Sequence, residues 1–247
     1  MAPKVALQLY TLRALTPKNF EGIIRKVAEF GYDGVETAGF DGTTPADAAR
    51  LFKELGLSVV GVHSPFPVGD KKNEILDLSS AFGCKYMIVS QIGPNDVKDT
   101  DSIKALCNKT NEAQANAKAR GLSMMIHNHD FEYAVRDGKL IADQMVELLD
   151  PEVLFELDTY WIKVAGLDPA ERVKQMGKRC PVLHIKDGPA RRGVPMTAVG
   201  AGVMDFPAIL KAGGGNTEWW IMEADEIAGD ALEAVRQSCI YMKGLTK

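Results

Sequence analysis

Apolar residues gather in eight short runs along the chain, separated by longer stretches in which apolar positions recur three and four residues apart. The runs predict strands at Val5–Tyr10, Gly34–Thr37, Val59–His63, Tyr86–Ser90, Met124–Asn128, Leu154–Asp158, Val182–Lys186 and Trp219–Glu223. The intervening spacings, such as Ile23, Val27, Phe30 and Ile103, Leu106, Thr110, Ala113, Ala117, lay an apolar stripe along one face of a helix. Punctuation agrees with the pattern. Gly31, Gly56, Gly83 and Gly121 each close an amphipathic stretch just before an apolar run, where glycine supplies the left-handed turn after a helix. Thr16-Pro17, Thr44-Pro45 and Asp168-Pro169 place a capping side chain before a proline suited to the first helical turn.

Eight strands alternating with helices predict a parallel sheet closed into a single (β/α)8 TIM barrel over residues 1–247, since each parallel crossover needs a helix and closure removes both edges. The 247 residues match the roughly 250 typical of that fold. A doubly wound open sheet is the alternative, but its first strand normally runs into a glycine-rich phosphate turn, and the turn after Tyr10 reads TLRALT.

Charge and composition narrow the function. A net charge of −4 without a basic block argues against nucleic acid and for a small neutral or polar substrate. The start MAPKVALQLYTLR carries no long apolar stretch and nothing later approaches a membrane span, so a soluble, cytoplasmic protein is expected. Cys84, Cys107, Cys180 and Cys239 are scattered and are expected to be reduced packing residues. A homodimer is allowed, with no interface legible.

The chemistry sits at the strand ends. Glu132, Asp158, His184 and Glu223 stand at or just beyond the last four runs, the first three spaced by 26 residues, the period of a strand-helix unit. In a barrel of parallel strands such ends converge on one face. Three carboxylates and one imidazole make an oxygen-rich site with open positions, suited to one divalent ion: Mn2+, Mg2+, Co2+ or Zn2+. Strand alternation puts Glu156 with Asp158, His127 with His129 and His184 with Lys186 on common faces.

In these motifs the sequence resembles the sugar phosphate isomerase/epimerase proteins of the xylose isomerase-like TIM barrel superfamily: QLYTLR at the start, GYDGVE, HNHDFEY, LDTYWIKVAG, HIKD, GAGVMDF and IMEAD. The resemblance covers essentially the whole chain and implies that Glu132, Asp158, His184 and Glu223 are the metal ligands. Two departures stand out. Relatives often hold their fifth-strand Glu inside the strand, where this chain has Ile126, His127 and Asn128, and GAG at Gly200–Gly202 replaces the more usual GEG.

The resemblance further implies proton abstraction beside a sugar carbonyl through a metal-stabilised enediolate. Glu132 and Glu223 are candidate ligands and bases, His129 is the independent candidate base, and Lys186 is a candidate acid or oxyanion partner. Candidate substrate contacts are Tyr10, Glu36, His63, His127, Glu156 and Trp161. For Glu36 and Glu156, support of the ligands or ion pairing inside the barrel are equal alternatives, and Tyr10, Tyr160 and Trp161 are either a sugar-stacking wall or core. The same site chemistry also serves a lyase or hydratase on 3-keto sugars or 3-keto glycosides. A non-catalytic sugar-binding subunit is the third alternative.

Overall fold

The computed structural model describes residues 2–247. Its barrel strands are β1 (Lys4–Gln8), β2 (Gly34–Thr37), β3 (Ser58–His63), β4 (Tyr86–Val89), β5 (Ser123–His127), β6 (Leu154–Asp158), β7 (Val182–Ile185) and β8 (Trp219–Met222). Each pairs in parallel with its sequence neighbours, and β8 pairs with β1 to close the barrel. The helices are α1 (Thr16–Glu29), α2 (Pro45–Glu54), α3 (Lys72–Ala81), α4 (Thr100–Lys118), α5 (Ile141–Leu148), α6 (Thr159–Val164), α7 (Pro169–Met176), α8 (Phe206–Gly213) and α9 (Ala231–Leu245). A small hairpin, Val135–Arg136 with Lys139–Leu140, interrupts the crossover after β5.

All eight predicted strands form, most of them ending a residue or two earlier than predicted. At β1 the reason is visible: the Gln8 side chain accepts from Tyr10 N and turns the chain into a short 3-10 helix, Leu9–Leu12. The apolar stripe of α4 is buried at all five predicted positions. Gly31, Gly56, Gly83 and Gly121 hold φ between +63 and +96°, the left-handed turn predicted for them. Thr44 and Asp168 cap α2 and α7 with their side chains. Thr16 does not cap α1. There Asn19 is extended (φ −161°, ψ 69°) and its Oδ1 accepts from Gly22 N, so the cap sits three residues later than the Thr-Pro signal.

The apolar interior has two parts. The larger lies between the barrel and its helices; the smaller, built from Ala6, Val60, Tyr86, Ile88, Met125, Val182 and Ile221, plugs the barrel itself. Above the plug, the inward positions of the same strands turn polar. Register sets the levels, since His127 is level with Glu156, and Asp158 with His184. Gly61 faces this interior, where a Cβ would stand 2.2 Å from Ile88 Cδ1 and 3.4 Å from Glu36 Oε1, so glycine leaves the room these side chains occupy. All four cysteines are buried free thiols. Among the described residues no helix is long and apolar enough to cross a membrane.

Candidate metal and substrate site

Two tiers of ionisable side chains fill the mouth of the barrel. The lower tier comes from β2, β3, β6 and β7: Glu36, His63, Glu156 and His184. Glu36 Oε2 accepts from Gln8 Nε2 at 2.7 Å and lies 2.8 Å from His63 Nε2 and 2.9 Å from His184 Nε2. The upper tier takes one residue from or just beyond each of β5 to β8: His127, Asp158, His184 and Glu223, with candidate ligand atoms all within 4.8 Å of one another. His184 belongs to both tiers, because its Nδ1 meets Glu223 Oε2 at 2.8 Å while its Nε2 faces down to Glu36 and Glu156.

Glu156 organises the two imidazoles of the upper tier. Its Oε2 lies 3.1 Å from His127 Nδ1 and 3.1 Å from His184 Nε2. A carboxylate that holds one ring nitrogen as N–H leaves the other free to bind a cation, the usual arrangement behind a metal-ligating histidine. Asn128 fixes the adjoining strand end: its Oδ1 accepts from Asp158 N and its Nδ2 donates to Asp158 O. Asp158 Oδ1 caps α6 through Tyr160 N and Trp161 N. Its Oδ2, fully buried, has no hydrogen-bond partner among the described residues, although Lys186 Nζ stands 3.0 Å away. A carboxylate oxygen whose close partner is the Lys186 ammonium, gathered with two imidazoles and a second carboxylate, is a donor set that fits a divalent ion.

The electrostatics reflect this crowding. Burial opposes charge on His63, but Glu36 and Glu156 outweigh it and push its pKa up to about 10. For His184 burial again opposes, and Glu156, Glu223 and Glu36 raise the pKa well above its ordinary value. His127 moves the other way, lowered chiefly by burial. Burial resists charge on Glu223 too, yet Lys186 and His184 hold it well below the usual carboxylate range. Lys186, 1% exposed, bridges Asp158, Glu223 and Asp225 at 3.0, 2.8 and 2.7 Å; against burial these carboxylates raise its pKa well above normal.

The structure brings Asp158, His184 and Glu223 together, but Glu132 belongs to neither tier. Beyond β5 the chain turns into a 3-10 helix, Phe131–Tyr133, where Glu132 is buried. Its Oε2 accepts from His129 N at 2.9 Å and its Oε1 lies 3.9 Å from His129 Nδ1. His127, two residues inside the end of HNH, occupies the fifth-strand place in the upper tier. His129, His63, His127, Tyr10 and Glu223 line a cavity of about 510 Å³ that opens onto this tier. Glu36 and Glu156 lie beneath it, fully buried and paired with imidazoles rather than lining it. Trp161 stands beside Lys186, 5.5 Å from Nζ to ring centre, and 6.5 Å from the His129 ring, outside the cavity wall, while Tyr160 is fully buried core.

Three residues escaped the sequence reading. Gln8 supports Glu36 and was visible only as a polar break in an apolar run. Asp225, two positions past Glu223, holds Lys186 and lines the cavity. Asp187, buried, accepts from Gly188 N, Gly200 N, Gly202 N and Met204 N. That explains the GAG loop: a Cβ at position 202 would stand 2.1 Å from Asp187 Oδ1, and the loop contributes backbone N–H groups, with Ala201 exposed.

An all-parallel barrel with imidazoles and carboxylates gathered at the C-terminal ends of its strands defines an enzyme-like class of TIM barrel. The chain belongs to the xylose isomerase-like TIM barrel family, whose model matches residues 24–238. Among solved structures, it is similar to a sugar phosphate isomerase/epimerase from Parabacteroides distasonis, at 23% identity and TM-score 0.82 over 100% of this chain and 96% of the other. A probable 3-DHS dehydratase involved in petrobactin synthesis from Bacillus anthracis matches at 14% identity and TM-score 0.78, with 99% of each chain covered. A D-allulose 3-epimerase from Methylomonas sp. matches at 15% and 0.73, covering 99% of this chain and 98% of the other. At these identities the likeness defines the fold. No curated protein matches the sequence.

Proposed function

We propose that the protein is a divalent-metal-dependent isomerase or epimerase of a sugar or sugar phosphate. The observation that carries the proposal is the pair of imidazoles, His127 and His184, each tied to Glu156 through one nitrogen and offering the other beside Asp158 and Glu223 under an open cavity. His127, Asp158, His184 and Glu223 are the ligands in this account. Two nitrogen and two oxygen donors favour Mn2+, Co2+ or Zn2+ over Mg2+, which prefers an all-oxygen octahedron. The ion supplies Lewis-acid stabilisation of the negative charge that develops on oxygen when a proton leaves the carbon beside a carbonyl.

The remaining steps belong to the chain. His129 lines the cavity and serves as the base, with Glu132 holding the backbone on which it sits and facing its Nδ1. Burial disfavours the charged ring, but the hydrogen bond and charge of Glu132 raise the pKa of His129 above its ordinary value. Glu132 is thus a positioning residue, not a ligand. Lys186, held charged among three carboxylates, offers an ammonium to a developing oxyanion. Tyr10 and His63 line the cavity as substrate contacts. Trp161 acts through Lys186 and His129, while Glu36 and Glu156 act through the imidazoles they orient.

A second reading, lyase or hydratase action on a 3-keto sugar or glycoside, uses the same base and expels a β-leaving group. Similarity to a dehydratase keeps it in view. The test is incubation of metal-loaded protein with ketoses, their phosphates and 3-keto glycosides in D2O. Deuterium gained at carbon with mass otherwise unchanged supports the isomerase or epimerase. Loss of the leaving group identifies the lyase, and absence of both removes the catalytic proposal.

A further inference from the structure

The loop between β7 and α8 is built in two parts. Its base is fixed: Asp187 gathers the backbone N–H groups of Gly188, Gly200, Gly202 and Met204, Thr197 N donates to Asp187 O, and Met196 N donates to Glu226 O. Its tip is held differently. From Pro189 to Pro195 no backbone hydrogen bond is made among the described residues, and Arg191 to Val194 are exposed. One side-chain pair ties this tip down. Arg192 reaches across β6 to Asp130 in the turn after β5, its Nε donating to Oδ2 at 2.9 Å and its Nη2 to Oδ1. Such a two-bonded pair fixes orientation as well as distance.

The strap passes over Trp161. The ring centre of Trp161 is 5.5 Å from the Arg192 guanidinium and 5.5 Å from Lys186 Nζ, so an exposed cation and a buried one meet on a single indole. The His129 ring is 6.5 Å from the same indole, and His129 is the chain neighbour of Asp130. Because β5 ends at His127, no strand holds His129; Glu132 fixes its backbone N–H from the buried side, and Arg192 grips the next residue from the exposed side. We propose that Arg192 is a positioning residue: by gripping Asp130 over Trp161 it holds the base His129 against the indole that also carries Lys186. This rests on the reading of His129 as the base and goes beyond it by assigning its placement to the loop after β7. Exposed ion pairs contribute little to folding, so losing this one is felt at the site, where the rate depends on the placement of the base.

The test is a double-mutant cycle of Arg192→Ala and Asp130→Ala on the metal-loaded full chain. Each single variant should lower kcat about ten-fold with KM within about two-fold, part of the roughly 10²-fold that a 1 Å misplacement can cost. The double variant should be no slower than either, because both changes remove one contact. Arg192→Lys keeps the charge without the fork and should recover part of the rate. A second readout needs no turnover: fluorine NMR of protein carrying fluorotryptophan at its three Trp positions. The Trp161 resonance, assigned through Trp161→Phe, should move in Asp130→Ala although the ring and Arg192 are both intact, while those of Trp219 and Trp220 stay in place. Additive losses, an unmoved Trp161 resonance, or wild-type kcat in either single variant overturns the strap and leaves the sugar-site reading standing. If the wild type itself turns over no sugar, the catalytic reading falls, and the role proposed for Arg192 falls with it.

Discussion

The two ends of the barrel interior are built on the same eight strands, yet they are chemically opposite. At the N-terminal end, Ala6, Tyr86, Ile88, Met125, Val182 and Ile221 pack into an apolar plug. Two residues further along several of those strands, His127, His184 and Glu223 follow Met125, Val182 and Ile221 on the same inward face. Stability and function are therefore separated by one strand repeat, about 6–7 Å. Removing bulk below should cost folding free energy with little direct effect on chemistry, whereas removing a donor above should cost metal or rate with little effect on folding.

The sharpest break between the two ends is Asp158→Ala. It should abolish metal binding and turnover at a stability cost of about 0.5–2 kcal/mol, the usual loss of a helix cap, because Asp158 caps α6 and pairs with Lys186 instead of packing in the apolar core; retained metal would refute the ligand assignment. Below, Ile221→Ala should destabilise by about 2–5 kcal/mol, the usual cost of a large-to-small change in a packed core. Metal stoichiometry of the folded fraction should stay at wild type, and altered stoichiometry would show that the two ends are not separable. His129→Gln should lower kcat/KM on the order of 10²-fold with metal retained, the usual scale of general acid-base effects. Near-normal turnover would move the base elsewhere. The smallest effect is the pH dependence of metal affinity. Because its carboxylate neighbours raise the pKa of His184 against burial, the free protein holds it protonated, and binding must displace a proton. Affinity should fall as pH falls, by about ten-fold per unit for each displaced proton, beginning above the ordinary titration range of histidine. A flat profile by calorimetry would mean His184 is not a ligand.

The barrel was legible from strand count and alternation, because parity is a property of the strand itself. Glu156 with Asp158 and His184 with Lys186 share faces as the sequence implied. Glu132 lies apart from the two tiers for the complementary reason: it follows the strand, in a 3-10 turn with no parity to fix it, so the regular spacing of 26 residues does not by itself bring it to Asp158 and His184. Gln8 could be seen only as a polar residue in a strand, and Glu36 and His63 only as candidate contacts without their partners. Their meeting with His184 requires the closure of β1 on β8, which brings the first three strands against the last.

The central claim is that His127, and not Glu132, completes the metal site. The most direct test is the metal content, by mass spectrometry, of protein purified without chelator as wild type, His127→Ala and Glu132→Gln. The account predicts about one ion per chain in the wild type and in Glu132→Gln, as a single four-ligand site requires, and little or none in His127→Ala. Metal lost on changing Glu132 and kept on changing His127 would contradict it.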